Sequence, residues 1–386
     1  MPAAMRTCFA VTPPGVEAIT ACELGALGVT PGATEPGGVS FEATERGLYA
    51  ANLELRTANR ITVRLASFPA RAFYELERKA KRVPWETVLS PGTPVRFRVT
   101  SRKSRLYHVG GIAERLSNCV NSQQSTVNGK GPDGELDDDE PAAESAEQLF
   151  IVRVFRDVVT ISADSSGALL HRRGYREAAG KAPLRETLAA AMLLGAGYDG
   201  SAPLLDPFCG AGTIPIEAAL FARRIAPGLR RAFAFERWPS FDPGAWRGVR
   251  AEAEARVLPR APAPIAGSDR DAGAIEAACA NAARAGVQAD IQLRRAALSS
   301  VEPPASSGFL ITNPPYGVRV GERDELRDLF ARLGQLARRR CPGWSVAILS
   351  AHAEHVRATG LPLEPAWSST TGGLRVRLVT GRVPAL

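Results

Sequence analysis

The second half of the chain alternates short apolar runs with stretches of helical period, and this alternation restricts the possible folds more than any other feature. The helices predicted at 271–285 and 322–339 carry apolar stripes on one side. The apolar runs, each as long as a buried strand, cover residues 203–206, 265–269, 290–295, 309–312 and 345–350. Such alternation predicts an α/β fold with a parallel sheet covered by helices on both faces.

Two further segments of the second half predict an edge strand and the start of a helix. Residues 374–379 alternate apolar and basic side chains after the turn Thr371-Gly372-Gly373, which is typical of an antiparallel edge strand. Pro183 suits the first turn of a helix, so a helix is predicted to open at 182–188.

Glycine-rich or polar segments follow three of the predicted strands. The first, Asp206-Pro207-Phe208-Cys209-Gly210-Ala211-Gly212-Thr213, reads as a tight turn into a helix whose free N–H groups suit a carboxylate or phosphate. Gly210 and Gly212 let the backbone approach a ligand closely. Pro215 stands where a dinucleotide-binding motif has its third glycine, so that motif is excluded. Asp269 ends the next strand, where its carboxylate can accept hydrogen bonds from both hydroxyls of a ribose.

The third segment, Asn313-Pro314-Pro315-Tyr316, carries groups suited to a nucleobase amine. The lone pair of an exocyclic amine is delocalised into the ring, so acceptors must draw on its N–H groups while an electrophile approaches. The Asn313 amide oxygen and the Pro314 carbonyl are such acceptors, and Tyr316 can stack on the base. Alone, this segment is equally well explained as a strand followed by a proline turn. Three such segments at the ends of successive strands favour a ligand site.

Positive charge is concentrated in the first half. The net charge is +8, and the window from Arg71 to Arg105 holds ten basic residues against three acidic ones. Alternation in the strand predicted at 95–99 puts its apolar side chains on one face and its arginines on the other. A solvated charged surface is the simpler interpretation, and a phosphate-binding surface is the functional one. The residues predicted to contact RNA are Arg96, Arg98, Arg102, Lys103 and Arg105.

The rest of the first half reads as α+β structure. Residues 6–69 alternate strand-like and helical runs, and strands are predicted at 149–155 and 158–163. A helix is predicted before them, with Val109, Ile112, Leu116 and Val120 on one side.

Residues 121–148 are polar, with eight acidic residues and no basic one from Asp133 to Glu147, which predicts a disordered surface loop. As a hypothesis, this loop screens the basic surface against non-specific RNA. Deletion of residues 131–147 without any change in off-target RNA affinity would remove it.

Several classes of protein are not favoured. The six cysteines are scattered without a C-x-x-C pair and the four histidines are not spaced as their co-ligands, so reduced thiols and no metal are expected. No apolar run reaches the length of a membrane span, and the first residues lack the apolar core of a signal peptide. A cytoplasmic protein is therefore expected.

Taken together, these segments resemble THUMP-domain class I RNA methyltransferases, and among them the guanine-N2 enzymes of the large-subunit ribosomal RNA methyltransferase L type. The resemblance covers nearly the whole chain. Its carriers are Gly174-Tyr175-Arg176, the run 182–190, Asp206 to Thr213, Ile225 to Leu229, Gly267-Ser268-Asp269 and Asn313-Pro314-Pro315-Tyr316-Gly317.

The resemblance implies a Rossmann-like methyltransferase domain at 169–386 with a mostly parallel seven-stranded sheet, preceded by a ferredoxin-like domain at 1–69 and a THUMP RNA-binding domain at 70–168. It implies S-adenosylmethionine as the cofactor and RNA as the partner, ribosomal RNA before tRNA. The catalytic residues it implies are Asn313, Pro314, Pro315 and Tyr316. The cofactor-binding residues it implies are Thr187, Asp206, Phe208, Gly210, Gly212, Thr213, Asp269, Arg270 and Asn313.

The sequence departs from the family at one place and leaves alternatives open. Family members usually carry an acid near the adenine after the third strand, but residues 293–298 contain none. Adenine is then held by backbone groups and Phe208, or the cofactor is bound more weakly. The alternatives are a tRNA guanine-N2 enzyme, an adenine-N6 DNA enzyme, or a non-catalytic RNA-binding assembly factor. A monomer and a weak dimer are both compatible with the sequence.

Overall fold

The protein is built on two seven-stranded sheets, one in each half of the chain. The computed structural model describes residues 5–124, 147–176, 184–316 and 323–385. The predicted acidic loop lies mostly outside these residues, as does Pro183. The described helix of that region begins at Glu186.

The first sheet has the strand order β2-β3-β1-β4-β7-β6-β5. All its pairs are antiparallel except β5 with β6, so β5 is a parallel strand at one edge. Its strands are β1 (Arg6–Val11), β2 (Pro31–Glu35), β3 (Gly38–Ala43), β4 (Arg60–Pro69), β5 (Val95–Arg102), β6 (Gln148–Phe155) and β7 (Val158–Asp164). Its helices are α1 (Glu17–Ala26), α2 (Glu45–Glu54), α3 (Phe73–Ala80) and α4 (Val109–Gln124).

The second sheet has the order β10-β9-β8-β11-β12-β14-β13, and its first five strands are parallel. Its strands are β8 (Leu204–Asp206), β9 (Ile265–Asp269), β10 (Ile291–Arg295), β11 (Phe309–Thr312), β12 (Ser345–Ser350), β13 (Leu363–Thr371) and β14 (Leu374–Arg382). Its helices are α5 (Glu186–Gly195), α6 (Thr213–Ala222), α7 (Pro243–Ala255), α8 (Ala272–Ala285), α9 (Arg323–Arg340) and α10 (Ala353–Ala358). The predicted α/β class and the mostly parallel sheet are confirmed.

Local sequence signals explain where two of these helices begin and end. Asp271 caps α8 by accepting a hydrogen bond from the Ala274 N–H at 3.0 Å, and Gly286 ends the helix with a φ of 72°. Asp242 caps α7 in the same way, with Pro243 in the first turn.

One detail of the sequence prediction was wrong. The strand at 374–379 is not the sheet edge, because β14 pairs with β12 on one side and β13 on the other. The alternation of β14 reflects a hairpin in which the unpredicted β13 occupies the edge. In α4, Ile112, Leu116 and Val120 are buried, and Val109, the first residue of the helix, is 45% exposed.

The core of the first half includes side chains from far along the chain. Phe235 stacks on Tyr49 with ring centroids 4.5 Å apart, and Trp246 of α7 meets Tyr49 edge-on at 5.9 Å. The Trp238 indole N–H donates to the Gln148 side-chain oxygen at 2.8 Å. Residues 233–246 therefore tie the two halves together, while the predicted domain boundaries at 69 and 168 stay predictions.

Candidate active site

The three polar segments lie side by side at one edge of the second sheet. In the strand order, β8 lies between β9 and β11, and all three strands run parallel. The carboxyl end of β8 leads into the loop 206–212, β9 ends at Asp269, and Asn313 follows β11. Parallel strands place their carboxyl ends at one edge, so the segments that the sequence singled out are brought together.

The glycine loop is bonded to the end of β9. The Cys209 N–H donates to the Ser268 carbonyl at 2.9 Å, and the Gly210 N–H donates to Asp269 Oδ2 at 3.0 Å. Gly210 and Gly212 both have positive φ, 51° and 85°, a region that glycine adopts without strain. A Cβ built on Gly210 would meet no heavy atom within 4 Å, so there is open space beside the loop. This open cradle of backbone next to a carboxylate fits a ribose-bearing cofactor.

Asp206 holds the ends of β8 and β11 together. Its Oδ1 accepts a hydrogen bond from the Thr312 hydroxyl at 2.6 Å and from the Phe208 N–H at 3.1 Å. The carboxyl group is buried, with 1% of the residue exposed. Desolvation raises its pKa from the ordinary 3.8 to about 7, although both hydrogen bonds oppose the shift. Asp206 therefore fixes the distance between the glycine loop and the Asn313 segment.

Within the segment 313–316, the amide and the phenol contact each other. The Tyr316 hydroxyl donates a hydrogen bond to Asn313 Oδ1, and burial raises the pKa of Tyr316 above its ordinary value. Asn313 and Tyr316 are half-buried, Pro314 is buried and Pro315 is exposed. The phenol orients the Asn313 amide oxygen, an acceptor with a second lone pair for a substrate N–H.

The other predicted cofactor residues occupy different surroundings. Thr213, the first residue of α6, is buried, and its hydroxyl accepts from Arg176 Nη2 at 2.6 Å. Phe208 is half-buried and packs on an apolar cluster that includes Val346 and Ile348 of β12, whereas Arg270 is exposed. Thr187 is fully buried and donates to Asn59 Oδ1 at 2.8 Å, so its hydroxyl bonds the first half of the chain. Direct cofactor contact by these residues stays a prediction.

A buried charged network behind the site was not predicted from the sequence. Glu217 of α6 accepts a hydrogen bond from the Tyr175 hydroxyl at 3.2 Å and lies 3.5 Å from Arg173 Nε. Arg173 also donates to the Arg56 carbonyl, and Arg56 Nη2 donates to the Ile225 carbonyl at 2.7 Å. The helix that starts at the glycine loop is thus bonded to the first half. Gly174-Tyr175-Arg176 was the available signal for this network.

The predicted RNA-binding residues lie on or just beyond the edge strand β5. Arg96, Arg102, Lys103 and Arg105 are exposed, whereas Arg98 is half-buried. The alternating Val95, Phe97 and Val99 pack on the core of the first half as predicted. The five basic residues therefore follow one exposed edge of the sheet.

Two exposed tyrosines lie beside this basic edge and were not predicted. Tyr107 is 79% exposed and Tyr74 66% exposed, near the first turns of α4 and α3. The Asp157 carboxylate connects the chain segments before the two tyrosines. One of its oxygens lies 3.3 Å from Arg71 Nε, and the other accepts a hydrogen bond from the Arg105 N–H at 2.8 Å. Exposed rings among arginines suit the stacking of unpaired bases. Their exposure could not be deduced from local periodicity.

Across the described ranges, no group of histidine, cysteine, aspartate and glutamate side chains is arranged to bind a metal ion. Within the same ranges, no helix has both the length and the apolar character that a membrane crossing requires. All six cysteines are free.

The strand order, the glycine loop after β8 and the Asn-Pro-Pro-Tyr segment after β11 define a class I S-adenosylmethionine-dependent methyltransferase. Comparisons with known proteins agree. The RMKL-like methyltransferase domain matches residues 173–364, and the RlmL ferredoxin-like domain matches residues 7–62. The solved structure of SMU.472, described as a candidate methyltransferase complexed with SAH, aligns with a TM-score of 0.86 and 28% identity, covering 99% of this chain and 98% of that chain.

Two curated relatives show which methyltransferase family the chain resembles. The chain is 34% identical to slr0064 of Synechocystis sp., described as a candidate RNA methyltransferase, covering 98% of this chain and 97% of the relative. It is 36% identical to the ribosomal RNA large subunit methyltransferase K/L of Syntrophotalea carbinolica over 96% of this chain, but spans only 53% of that relative. The chain belongs to the RlmL-like family of class I RNA methyltransferases. Its cofactor is S-adenosylmethionine, as the sequence resemblance implied.

Proposed function

We propose that the protein transfers a methyl group to the exocyclic N2 of a guanine in large-subunit ribosomal RNA. The observation that carries the proposal is the 2.6 Å hydrogen bond from Thr312 to Asp206, which holds the amine-binding segment beside the cofactor loop. The similarity to the large-subunit methyltransferase K/L of Syntrophotalea carbinolica supports the choice of RNA.

The geometry of the loop supports the proposed cofactor-binding residues. Asp269 accepts one protein hydrogen bond on each oxygen, from Gly210 and from Asp271, and each oxygen keeps a lone pair for a ribose hydroxyl. Gly210 gives backbone access, Gly212 lets the turn pack closely on Ala278 of α8, and Phe208 offers a flat apolar surface to adenine in place of the missing acid. Asp206 supports the cofactor site by holding Phe208 and Thr312 through its buried carboxyl group. When bound, S-adenosylmethionine supplies a methyl group activated by the neighbouring sulfonium.

The catalytic work of the chain is positioning and charge dispersal. Asn313 Oδ1 and the Pro314 carbonyl accept the two N–H groups of the guanine amine, and the Tyr316 ring supports the plane of the base. The nitrogen gains positive charge as its bond to the methyl carbon forms and the carbon–sulfur bond breaks, so two acceptors stabilise the transition state. The extra proton then passes to water. A paired guanine must first leave its helix, at a cost of a few kcal/mol.

The first half of the chain serves as the RNA-binding part. In this proposal residues 1–69 form a ferredoxin-like domain and residues 70–168 a THUMP domain, with the basic edge of β5 and the two exposed tyrosines facing RNA. The positive charges of the basic edge bind RNA phosphates regardless of nucleotide sequence, while the site in the second half of the chain selects the base.

Methylation of total RNA from a strain lacking the gene tests the function. The purified protein is incubated with that RNA and labelled S-adenosylmethionine, and the modified nucleotide is identified by nucleoside analysis and mapped. N2-methylguanosine in the large-subunit RNA is the expected product. Label found only in tRNA would favour a tRNA guanine-N2 enzyme. N6-methyladenine formed in parallel reactions with DNA would favour an adenine-N6 DNA enzyme. No cofactor binding in calorimetry would exclude an enzyme altogether.

A further inference from the structure

A cavity lies between α10 and the β13–β14 hairpin. Its volume is about 270 Å³. Part of its wall is apolar, formed by Val356, Leu363, Pro365 and Val379 among others. Small-molecule pockets have volumes of about 300–1,000 Å³, so a cavity of this size suits a single flat group such as one nucleobase.

The rim of this cavity is cationic. Arg357, Arg375 and Arg377 line it, and among the described residues no aspartate or glutamate contributes to its lining. Both Arg375 and Arg377 are exposed. Arg377 Nε donates to the Ser368 hydroxyl at 3.4 Å, a long hydrogen bond that leaves the rest of its guanidinium available. A fork of guanidinium N–H groups beside an apolar wall matches the phosphate and the base of a nucleotide.

One end of the cavity reaches the sheet edge that carries Asn313. Thr312 of β11 pairs with Ile348 of β12, which pairs with Val379 of β14. Two residues beyond Ile348, Ser350 lines the cavity and pairs with Arg377. Two inter-strand spacings of 4.7–4.9 Å therefore separate the two places, roughly 10 Å along the edge.

We infer that this cavity binds the nucleotide next to the target nucleotide in the same RNA strand. The base of that neighbour lies against the apolar wall, and its phosphate is bound by Arg375 and Arg377. A flipped target base pulls its neighbours toward the enzyme, and contacts to flanking nucleotides set sequence preference in base-modifying enzymes. The inference rests on the proposed function and adds a determinant of RNA sequence context.

Photo-crosslinking tests the inference directly. A labelled RNA hexamer with one guanine, UUGUUU, carries 4-thiouridine on one side of the guanine or on the other, and is irradiated with the full-length protein and S-adenosylhomocysteine. Peptide mapping should find the crosslink in residues 350–357 or 374–377. Arg375→Gln/Arg377→Gln should lower that crosslink about tenfold. The same variant should reduce the slope of log affinity against log salt by about 0.7 for each phosphate that it no longer binds.

Arg382→Gln is the matched control, because Arg382 lies at the other end of β14, where its Nε donates to the Gly343 carbonyl at 2.8 Å. This variant should crosslink within twofold of the wild type. Equal yields from the double variant and the control, or crosslinks found only outside the two peptides, would overturn the inference.

Cofactor calorimetry shows that each variant is folded, and methyl transfer to total RNA is measured in parallel. Failure of the wild type to methylate RNA, with crosslinks that still depend on the two arginines, would reject the proposed function and retain the nucleotide site. RNA methylation by the wild type, with crosslinks that do not depend on the two arginines, would retain the proposed function and reject the nucleotide site.

Discussion

The two seven-stranded sheets present their functional residues in opposite ways. At the carboxyl edge of the second sheet, the site residues are bonded to each other, as in Thr312 to Asp206, Gly210 to Asp269 and Tyr316 to Asn313. At the edge of the first sheet, basic side chains such as Arg102 and Lys103 are exposed to solvent. One region is built for a fixed geometry, and the other for attraction without fixed geometry.

This difference predicts how each region responds to substitution. A pre-organised site loses much of its function when one bonded member is removed, because the remaining groups no longer point at the reacting atoms. An exposed cationic surface loses affinity in small, nearly additive steps, since each charge is screened by salt and replaceable by a neighbour. Substitutions in both regions test this contrast, beginning with the largest effect.

The largest effect is expected from Asn313→Ala. Loss of one acceptor for the developing charge should lower kcat about 100- to 1,000-fold. S-Adenosylmethionine affinity, measured by calorimetry, should stay within about twofold, since the glycine loop and Asp269 are unchanged. A parallel loss of cofactor affinity and turnover would contradict the assignment of Asn313 to the substrate amine.

Asp206→Asn should change how stability depends on pH. The folded-state pKa of about 7 lies above the ordinary 3.8, so the folded protein keeps a proton that the unfolded chain has lost between these values. Wild-type stability therefore falls as pH rises through this window. The asparagine retains an acceptor for Thr312 and Phe208 and removes the buried charge, so its stability relative to wild type should increase by roughly 2–4 kcal/mol from pH 4 to pH 8.

The measurement is thermal and denaturant unfolding of both proteins across that pH range. Asp199→Asn is the control, because Asp199 is exposed and hydrogen bonds from Ser201 lower its pKa below the ordinary 3.8, so its stability difference from wild type should stay nearly constant across this range. A constant stability difference between Asp206→Asn and wild type would show that Asp206 is ionised throughout.

Tyr316→Phe should give an intermediate effect on catalysis. The ring is retained and only the hydrogen bond that orients Asn313 is lost, so kcat should fall roughly threefold to tenfold while the KM for RNA stays unchanged. Tyr198→Phe is the matched control, since the Tyr198 hydroxyl is buried and has no hydrogen-bond partner among the described residues. Equal activities of the two variants would mean that the Tyr316 hydroxyl does not position the amide.

Tyr107→Ala should weaken RNA binding about fivefold, the lower end of the range for one stacked base. The affinity is measured by filter binding with unpaired RNA, and methylation at saturating RNA should be unaffected. Val158→Ala removes another exposed apolar side chain, 40% exposed, that offers no ring. Equal affinity in both variants would exclude stacking on Tyr107.

The smallest effect is expected from a single charge on the basic edge. Arg102→Gln should weaken RNA binding about twofold to threefold and reduce the salt slope by roughly 0.7–0.9. Arg327→Gln removes an exposed charge from α9 in the second half and should have no such effect. A tenfold loss from Arg102→Gln alone would show that the first sheet, too, is pre-organised.

Much of the second sheet could be predicted from the sequence because its signals are local. The apolar runs of β8, β11 and β12 are largely buried, and the glycine loop and the Asn-Pro-Pro-Tyr segment are contiguous in the chain. Parallel topology then brings their carboxyl ends to one edge. The family resemblance, the α/β class and the cofactor followed from those segments and are confirmed.

The sequence by itself determined strands such as β8, β11 and β12, helices such as α8 and α9, and the glycine turn after β8, because backbone preference and apolar period act over a few residues. Only the tertiary structure decided that β14 lies inside the sheet, that Tyr107 is exposed, and that Thr187 contacts Asn59. The pKa of Asp206 also depends on folding, since burial beside Thr312 and not its own chemistry raises it. These properties arise from contacts between residues far apart in the chain, which no local pattern encodes.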